Sequence, residues 1–286
     1  MRWMDVATHL TDPPLVVLAP AEQTVPLVVV SAHSGRDYPA DFLAGSLLSL
    51  DELRRSEDTD TDWLFAAAPG LGAPLLCATF PRAMCDANRA KWELDPAMFD
   101  GPLPAFVTRD GPRIAAGIGT IARVVASGAA IHREKLSFGV ARARIERCWQ
   151  PFHDALASLV ADTVAKFGRC VLLDAHSMPS TSQRTARAAD VVLGDAHGTA
   201  CAPEFSRLLE TTLATAGFRV RRNDPYAGGY ITRHYGRPRD GVHAMQIELS
   251  RALYLDEHRV ERLPGAADIA HRMTMVMRAA AAWDGR

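Results

Sequence analysis

The sequence predicts a layered α/β fold, because short apolar runs typical of strands alternate along the chain with longer runs typical of helices. No internal repeat and no low-complexity segment interrupts this alternation. Two of the apolar runs end in the same three residues, Ala-His-Ser. Sheets of this class bind ligands outside the carboxyl ends of their strands. His33 and His176, which stand in these two tripeptides, are therefore the first candidates for a functional site.

Six segments have the character of strands. The run at 26–33 is fully apolar up to its polar end, as expected for a central strand that is covered on both faces. The segment at 219–225 is predicted to be an edge strand. The six predicted strands are 26–33, 73–82, 169–177, 190–195, 219–225 and 243–251.

Five segments are predicted helices, and the longest, at 138–168, is closed by a glycine. The other four are 39–55 (one or two short helices), 60–72 (ended by Pro69 and Gly70), 202–218 and 265–283. Residues 83–111 are rich in Pro, Asp and Gly, and we expect them to form a long loop over the surface. Loops of that length inside compact domains usually serve a function.

The composition is that of an ordinary globular protein, with 48% hydrophobic and 23% charged residues. A length of 286 residues allows one large domain or two small ones, and we predict a single domain over residues 1–286. A net charge of −1 provides no overall attraction to nucleic acid or to acidic membranes. No apolar run approaches the roughly 20 residues that span a bilayer.

The cysteines point to a reducing compartment. There are 5, irregularly spaced and without a CxxC pair, so the sequence supports neither a structural zinc knuckle nor a thioredoxin-like site. The first residues of the chain lack the apolar core of a signal peptide. We therefore predict a cytoplasmic protein, either a monomer or a homodimer.

His33 and His176 can be read as metal ligands or as core histidines satisfied by hydrogen bonds. Their shared position after apolar strands favours ligands. Zinc binds imidazole nitrogen and carboxylate oxygen and keeps one position open in catalytic sites, so an acidic third ligand is needed. The same acids could instead serve the start of a helix. The nearest acids are Glu57, Asp58, Asp60 and Asp62.

Four further residues carry chemistry and also have plainer structural interpretations. Glu248 lies in an otherwise apolar strand and could be a general base beside a metal, or the ion-pair partner of Arg251. Asp174 could orient an imidazole or close its strand. Asn88 and Arg89 could receive a substrate carboxylate through the bidentate guanidinium, or form a solvated turn.

Taken together, these segments resemble the N-formylglutamate amidohydrolase (deformylase) family. The matching pieces occur in the family's order from about residue 26 to 258: "AHSGRDYP", "DTDTDWL", "RAMCDANR", "LLDAHSMPS", "DVVLGD", "PYAGGYITRHYG" and "HAMQIELSRALYLDE". The resemblance implies a three-layer α/β/α sandwich around a mixed, mostly parallel sheet, similar to phosphorylase/hydrolase-like zinc peptidases. It further implies one amidohydrolase domain whose active site is organised similarly to that of aspartoacylase.

The resemblance also implies roles for individual residues. His33 and His176 would bind zinc, one ion per chain. Asn88 and Arg89 match the family's Asn-Arg pair, which would grip the α-carboxylate of the substrate. Glu248 matches the glutamate that would activate water.

Another four positions fall in the family's motifs. Arg82, Arg233 and Tyr226 stand where the side-chain carboxylate or the oxyanion of the reaction would be held. Gly229, next to Gly228, permits a tight loop close to a ligand, although glycine pairs also occur in plain turns.

The third metal ligand departs from the related pattern. Carboxypeptidase-like enzymes use His-x-x-Glu, and here Arg36 stands at the glutamate position and cannot bind zinc. The acid must come from elsewhere. We choose Asp58 ahead of Asp62, with Asp37 as a third option.

The expected function is zinc-dependent hydrolysis of N-formyl-L-glutamate to formate and L-glutamate, with a role in histidine degradation implied by the family name. One alternative is a deacylase of another N-acyl amino acid or small peptide. Another is a metal-free binding protein that retains the pocket. In each case the expected partner is a small N-acyl amino acid, with no nucleic acid and no membrane.

Overall fold

The computed structural model describes residues 9–180 and 188–285. Its central feature is a seven-stranded sheet, and a separate two-stranded sheet follows the last long strand. The strands are β1 (Leu15–Leu18), β2 (Leu27–Ser31), β3 (Leu75–Ala78), β4 (Cys170–Met178), β5 (Val191–Gly194), β6 (Val220–Arg222), β7 (Val242–Ser250), β8 (Leu255–Asp256) and β9 (Glu261–Arg262). The order in the large sheet is β1-β3-β2-β4-β7-β5-β6.

Helices connect most of these strands. They are α1 (Ala40–Ala44), α2 (Leu50–Arg54), α3 (Thr61–Leu64), α4 (Pro112–Ala115), α5 (Phe138–Arg144), α6 (Gln150–Phe167), α7 (Pro203–Thr215), α8 (Tyr230–Tyr235) and α9 (Ala266–Ala282). Among the described residues, no helix is both long enough and apolar enough to cross a membrane.

The large sheet is mixed and mostly parallel, as predicted. β2 pairs in parallel with β3 and β4, β4 pairs in parallel with β7, and β5 pairs in parallel with β6. The pairing of β5 with β7 is antiparallel. The carboxyl ends of β2, β4 and β7 therefore point to one edge of the sheet, which is where a ligand site is expected.

The chain divides into two compact units. The first comprises the described residues up to Val16, Ala32–Glu57 and Ala78–Ala155, and the second comprises Val17–Ser31, Asp58–Cys77 and the chain from Leu156 onward. A single domain over residues 1–286 stays a prediction.

The second unit has the predicted layers. Leu173 of β4 and Met245 of β7 are fully buried in the apolar core that α7 and α9 share. Helix α8 contacts the same two strands, and it does so through polar residues of the opposite face, because Thr232 donates to Asp174 at 3.2 Å. The alternation of side chains along a strand thus separates an apolar face from a polar one.

Most predicted elements are confirmed, but the helix expected at 60–72 is much shorter. It ends at Leu64, after which the chain continues with bonds of the 3₁₀ type: Ala66 N donates to Trp63 O at 3.1 Å and Ala68 N to Phe65 O at 3.0 Å. Elements that the sequence did not indicate are β1, α4, α8 and the β8–β9 hairpin.

The helix expected at 138–168 is interrupted once. A π-helical turn at Ile145–Trp149 joins α5 to α6. Pro151, which has no N–H to donate, lies two residues after this turn and accounts for the break in the regular hydrogen bonding. Gly168 ends the helix with a φ of +73°, as predicted for a C-terminal glycine.

The expectation of a surface loop at 83–111 is wrong for the first part of this segment. Residues 83–89 are buried. Turn-forming residues suggested exposure, but here the polar side chains have internal partners and the small apolar side chains fill space between them. The apolar members are Ala83, Met84, Cys85 and Ala87.

The turn after β5 is organised by the buried carboxylate of Asp195. Gly198 N and Asn223 Nδ2 each donate to its Oδ1 at 2.8 Å, and Ser206 Oγ donates to Oδ2 at 2.8 Å. Burial acts to raise the pKa of Asp195, but the hydrogen bonds from Asn223 and Ser206 outweigh it and hold the pKa below its ordinary value.

Candidate metal centre

The pairing of β4 with β7 places four polar side chains on one face of the sheet. In the register, Asp174 lies opposite Gln246 and His176 lies opposite Glu248. These positions alternate with the apolar residues of the core, so all four side chains face the side away from α7 and α9. All four are buried. Buried polar groups need partners, and these have them.

His176 is held between two carboxylates. Its Nδ1 lies 2.8 Å from Asp58 Oδ2, and its Nε2 lies 2.8 Å from Asp174 Oδ1. Desolvation acts to lower the pKa of His176, but the charges and hydrogen bonds of Asp174 and Asp58 outweigh it and raise the pKa well above its ordinary value. In metal sites, a carboxylate on the second ring nitrogen commonly fixes the orientation of a ligating imidazole. Asp174 is placed to do this.

The Asp58 carboxylate is oriented from its other side by a cation. Arg251 NH2 donates to Asp58 Oδ1 at 3.1 Å, and Arg251 Nε donates to Ser177 Oγ at 3.1 Å. Asp58 is 1% exposed and Arg251 6% exposed, so the pair is screened little by solvent. Arg251, considered above as a partner of Glu248, thus balances the charge of Asp58.

Glu248 belongs to a chain of hydrogen bonds that ends at a glycine. Gln246 Nε2 donates to Glu248 Oε1 at 2.7 Å, and Gly229 N donates to Gln246 Oε1 at 2.7 Å. The amide of Gln246 therefore fixes the Glu248 carboxylate and ties the loop before α8 to β7.

His33 follows β2 by two residues and has a carboxylate of its own. Its Nε2 lies 2.7 Å from Asp86 Oδ1. The same carboxylate accepts from Asn88 N at 2.8 Å and Arg82 NH2 at 3.0 Å, and lies 3.7 Å from Arg89 NH2. Burial acts to raise the pKa of Asp86, but Arg89, His33 and Arg82 outweigh it, so the pKa lies well below its ordinary value.

The Arg89 side chain is fixed by backbone carbonyls. Its Nε donates to Ile118 O at 2.7 Å and its NH1 to Asn88 O at 2.8 Å. Trp149 Nε1 in turn donates to Arg89 O at 2.9 Å. Burial lowers the pKa of Arg89, which identifies its guanidinium as a desolvated cation. Such a cation is a strong receiver for a carboxylate.

His33, Asp58 and His176 form the candidate metal centre. Each can offer one ligand atom, and these atoms lie within 4.8 Å of one another. All three residues are buried. Two imidazoles and one carboxylate are a donor set that suits zinc and leaves a coordination position for substrate or water. The residues present therefore fit such a cation.

The alternative acids are placed differently. Asp62 lies in the first turn of α3 and is partly exposed. Asp37 accepts from Thr11 N at 3.1 Å. Arg36 Nε donates to Ser34 O at 3.2 Å. The candidate group includes none of these residues.

Comparison with known proteins decides the family. The family model described as N-formylglutamate amidohydrolase matches residues 25–255. The chain belongs to the N-formylglutamate amidohydrolase family. It is 33% identical over 269 residues to the N-formylglutamate deformylase of Pseudomonas aeruginosa, covering 89% of this chain and 90% of that protein. The N-formylglutamate deformylase of Pseudomonas putida is 30% identical over 253 residues, covering 84% and 86% of the two chains.

A solved structure of the N-formylglutamate amidohydrolase family shares the fold. The N-formylglutamate amidohydrolase from Ralstonia eutropha JMP134 superposes with a TM-score of 0.87 and is 37% identical. The superposition covers 93% of this chain and 96% of that one. The resemblance stated from the sequence motifs is therefore confirmed at the level of family and fold.

The remaining predicted residues of this amidohydrolase-family chain lie around α8. Tyr226 packs against a small buried cluster that includes Val192 of β5. Arg233 Nε donates to Gly228 O at 3.2 Å. Gly228 has a φ of +109°, and a Cβ there would approach the Thr232 side chain to 2.9 Å, so glycine is required. Their contact with a substrate stays a prediction.

Two residues that organise the centre were not singled out as site residues from the sequence. Asp86 stands two positions before Asn88, inside the same motif, and its partner His33 lies 53 residues away. Gln246 alternates with Glu248 on one strand, and that spacing was the available signal that both share a face.

Proposed function

We propose that the protein is a zinc-dependent amidohydrolase that hydrolyses N-formyl-L-glutamate to formate and L-glutamate. The observation that carries the proposal is the buried group of His33, Asp58 and His176, with Glu248 in register beside His176. The names of the two Pseudomonas relatives support the substrate. One amidohydrolase domain over residues 1–286, a cytoplasmic location and a role in histidine degradation are parts of the same proposal.

One zinc ion per chain would be held by His33, Asp58 and His176. When bound, zinc supplies a Lewis acid that polarises the formyl carbonyl and lowers the pKa of the attacking water. Asp86 and Asp174 each accept a hydrogen bond at the Nε2 of one histidine, which leaves the two Nδ1 atoms as ligand atoms. Arg251 orients the Asp58 carboxylate and balances its charge.

Glu248 moves the proton. Its carboxylate takes a proton from the attacking water as the new C–O bond forms, and it passes that proton to the departing nitrogen as the formyl C–N bond breaks. The products are formate and the free amino group of glutamate. Gln246 holds the carboxylate in one orientation throughout by donating to Oε1.

The substrate is a dianion, and cationic residues select it. Asn88 and Arg89 would receive the α-carboxylate, because the Arg89 guanidinium is desolvated and rigidly held. Arg82 would act on the developing oxyanion, which makes it a catalytic residue in the proposal.

The residues around α8 complete the proposed substrate site. Arg233 and Tyr226 would hold the side-chain carboxylate. Gly229 opens α8 and gives its N–H to Gln246, so the loop before α8 can lie close to a ligand.

Formate release by the zinc-loaded chain tests the proposal. N-formylglutamate should be hydrolysed in preference to N-acetylaspartate and to a succinylated amino acid. The variant His176→Asn should lose activity, whereas His197→Asn should keep it, because His197 is exposed and lies outside the metal group. Asparagine also tolerates the left-handed φ of +57° at position 197.

The same experiment separates the alternatives. Preference for N-acetylaspartate or a succinylated amino acid would identify a related deacylase. A chain that neither binds zinc nor is activated by it, yet binds the substrate, would be a metal-free binding protein.

A further inference from the structure

The loop that carries Asp58 is held in place by a later segment of the chain. Arg251 NH2 bonds to Asp58 Oδ1 at 3.1 Å. The next loop residue, Thr59, accepts from the hydroxyl of Tyr254 through its backbone carbonyl at 2.9 Å. Both contacts come from the residues that follow β7, the strand that carries Glu248.

Asp60, the next residue of this loop, is held by two hydrogen bonds from one arginine. Arg262 Nε donates to Asp60 Oδ2 at 2.7 Å, and Arg262 NH2 donates to Asp60 Oδ1 at 3.0 Å. The guanidinium also stacks over the ring of Trp63, 4.0 Å from its centroid. Asp60 is 1% exposed. A bidentate pair with a buried carboxylate has geometric specificity and is screened less by water than a fully exposed pair.

The Asp60 side chain does not cap helix α3, although Asp60 stands at the N-cap position. It stands immediately before α3, where an aspartate ordinarily accepts a hydrogen bond from the first turn, but its side chain makes no capping bond. Its backbone is left-handed, with φ 62° and ψ 13°. A non-glycine residue keeps such a conformation only where its surroundings impose it. Arg262 supplies such a constraint, because it bonds to both carboxylate oxygens of Asp60.

The clamp and the tyrosine contact come from one hairpin. Arg262 of β9 pairs with Leu255 of β8, and Leu263 N donates to Tyr254 O at 2.8 Å. Three consecutive loop residues are thus anchored by one short stretch of chain. The Asp58 carboxylate bonds to His176, and the backbone that follows it is held at Thr59 and Asp60. A change in the backbone conformation of Asp60 would therefore move the Asp58 carboxylate.

We propose that Arg262 is a positioning residue for the metal centre: by clamping Asp60 in its left-handed conformation, it holds the Asp58 carboxylate at His176. This inference rests on the proposed function, because it takes Asp58 as a zinc ligand. Arg262 bonds to Asp60 and acts on Asp58 through the backbone of the loop.

Zinc affinity of Arg262→Lys, measured by competition with a chromogenic chelator, tests the inference. Lysine keeps the charge but loses the bidentate fork and the stacking on Trp63. Zinc should bind about 10- to 100-fold more weakly, the usual loss when a group supporting a metal ligand is removed. The matched control is Arg259→Lys, on the same hairpin, whose side chain is 72% exposed and pairs only loosely, at 4.0 Å, with Asp256.

A second variant keeps the test decisive if Arg262→Lys does not fold, as judged by circular dichroism. Asp60→Asn tolerates the left-handed backbone but weakens the clamp, so it should lower zinc affinity as well. In the double variant, the two losses should not add, because both remove one interaction. Saturating zinc should restore kcat in the single variants, and circular dichroism spectra that match the unmodified chain before zinc is added would exclude a general loss of stability as the cause.

Two outcomes would overturn the inference, and they are distinguishable. Tight zinc binding by the unmodified chain, with equally tight binding by Arg262→Lys and Asp60→Asn, would reject the positioning role and leave the proposed function intact. Absence of zinc binding by the unmodified chain would reject the proposed function and this inference with it.

Discussion

The variant Glu248→Gln tests whether Glu248 is the general base, because it removes proton transfer and leaves metal binding and substrate binding in place. Glutamine has nearly the shape of glutamate, and its side-chain oxygen can still accept the hydrogen bond that Gln246 Nε2 donates to Oε1 at 2.7 Å. The position is 7% exposed, so an amide there stays within the same packing. The substitution removes the charge and the proton-accepting oxygen and changes little else.

The size of the effect follows from these contacts. A positioned general base contributes about 10²- to 10⁴-fold to the rate, so kcat should fall by that factor, equivalent to about 3–5 kcal/mol in the activation barrier. Exchanging a charge-assisted hydrogen bond for a neutral one should change the free energy of unfolding by only about 1 kcal/mol. Zinc content should not change, because Glu248 is outside the proposed ligand set.

The assay is formate release under saturating N-formylglutamate, with zinc content measured on the same preparation. Glu134→Gln, at an exposed position in the first unit, is the matched control and should behave as the unmodified chain. A Glu248→Gln variant that contains zinc and keeps substantial turnover would refute the role of Glu248 as the base.

Two further substitutions test buried carboxylates: Asp86, which bonds to His33, and Asp195, which organises the turn after β5. Asp86→Asn should lower zinc affinity about 10- to 100-fold, because the hydrogen bond to His33 Nε2 loses its charge, and chelator competition measures the loss. Asp195→Asn should lower the free energy of unfolding at pH 7 by about 1–3 kcal/mol. The folded-state pKa of Asp195 lies below its ordinary 3.8, so this stabilisation is present above that pH and is lost as the pH falls through the folded-state pKa. Urea unfolding from pH 7 to pH 3 should therefore show the difference shrinking only below about pH 4, with Asp110→Asn showing none.

The parts of the fold that could be predicted are those fixed by local pattern. The apolar runs that became β2, β4 and β5 are buried along their whole length, so their composition alone identified them. The histidines after β2 and in β4 were expected at one edge because parallel strands end together. Asp58 lies in the buried group, and its role as the third ligand stays a prediction.

What could not be predicted depends on contacts between distant residues. Asp60 meets Arg262 across 202 positions, and nothing in either neighbourhood indicates the other. The burial of residues 83–89 also depends on a distant contact, because Asp86 bonds to His33, which lies 53 positions away along the chain. Arg82 bonds to the same carboxylate. Composition records how polar a loop is, but not whether its polar groups find partners.

The most direct test of the central claim is an anomalous difference map at the zinc absorption edge, from crystals of the zinc-loaded chain. We predict one peak per chain, with His33, Asp58 and His176 as its protein ligands. A chain that takes up no zinc, or a peak bound by other residues, would contradict the account.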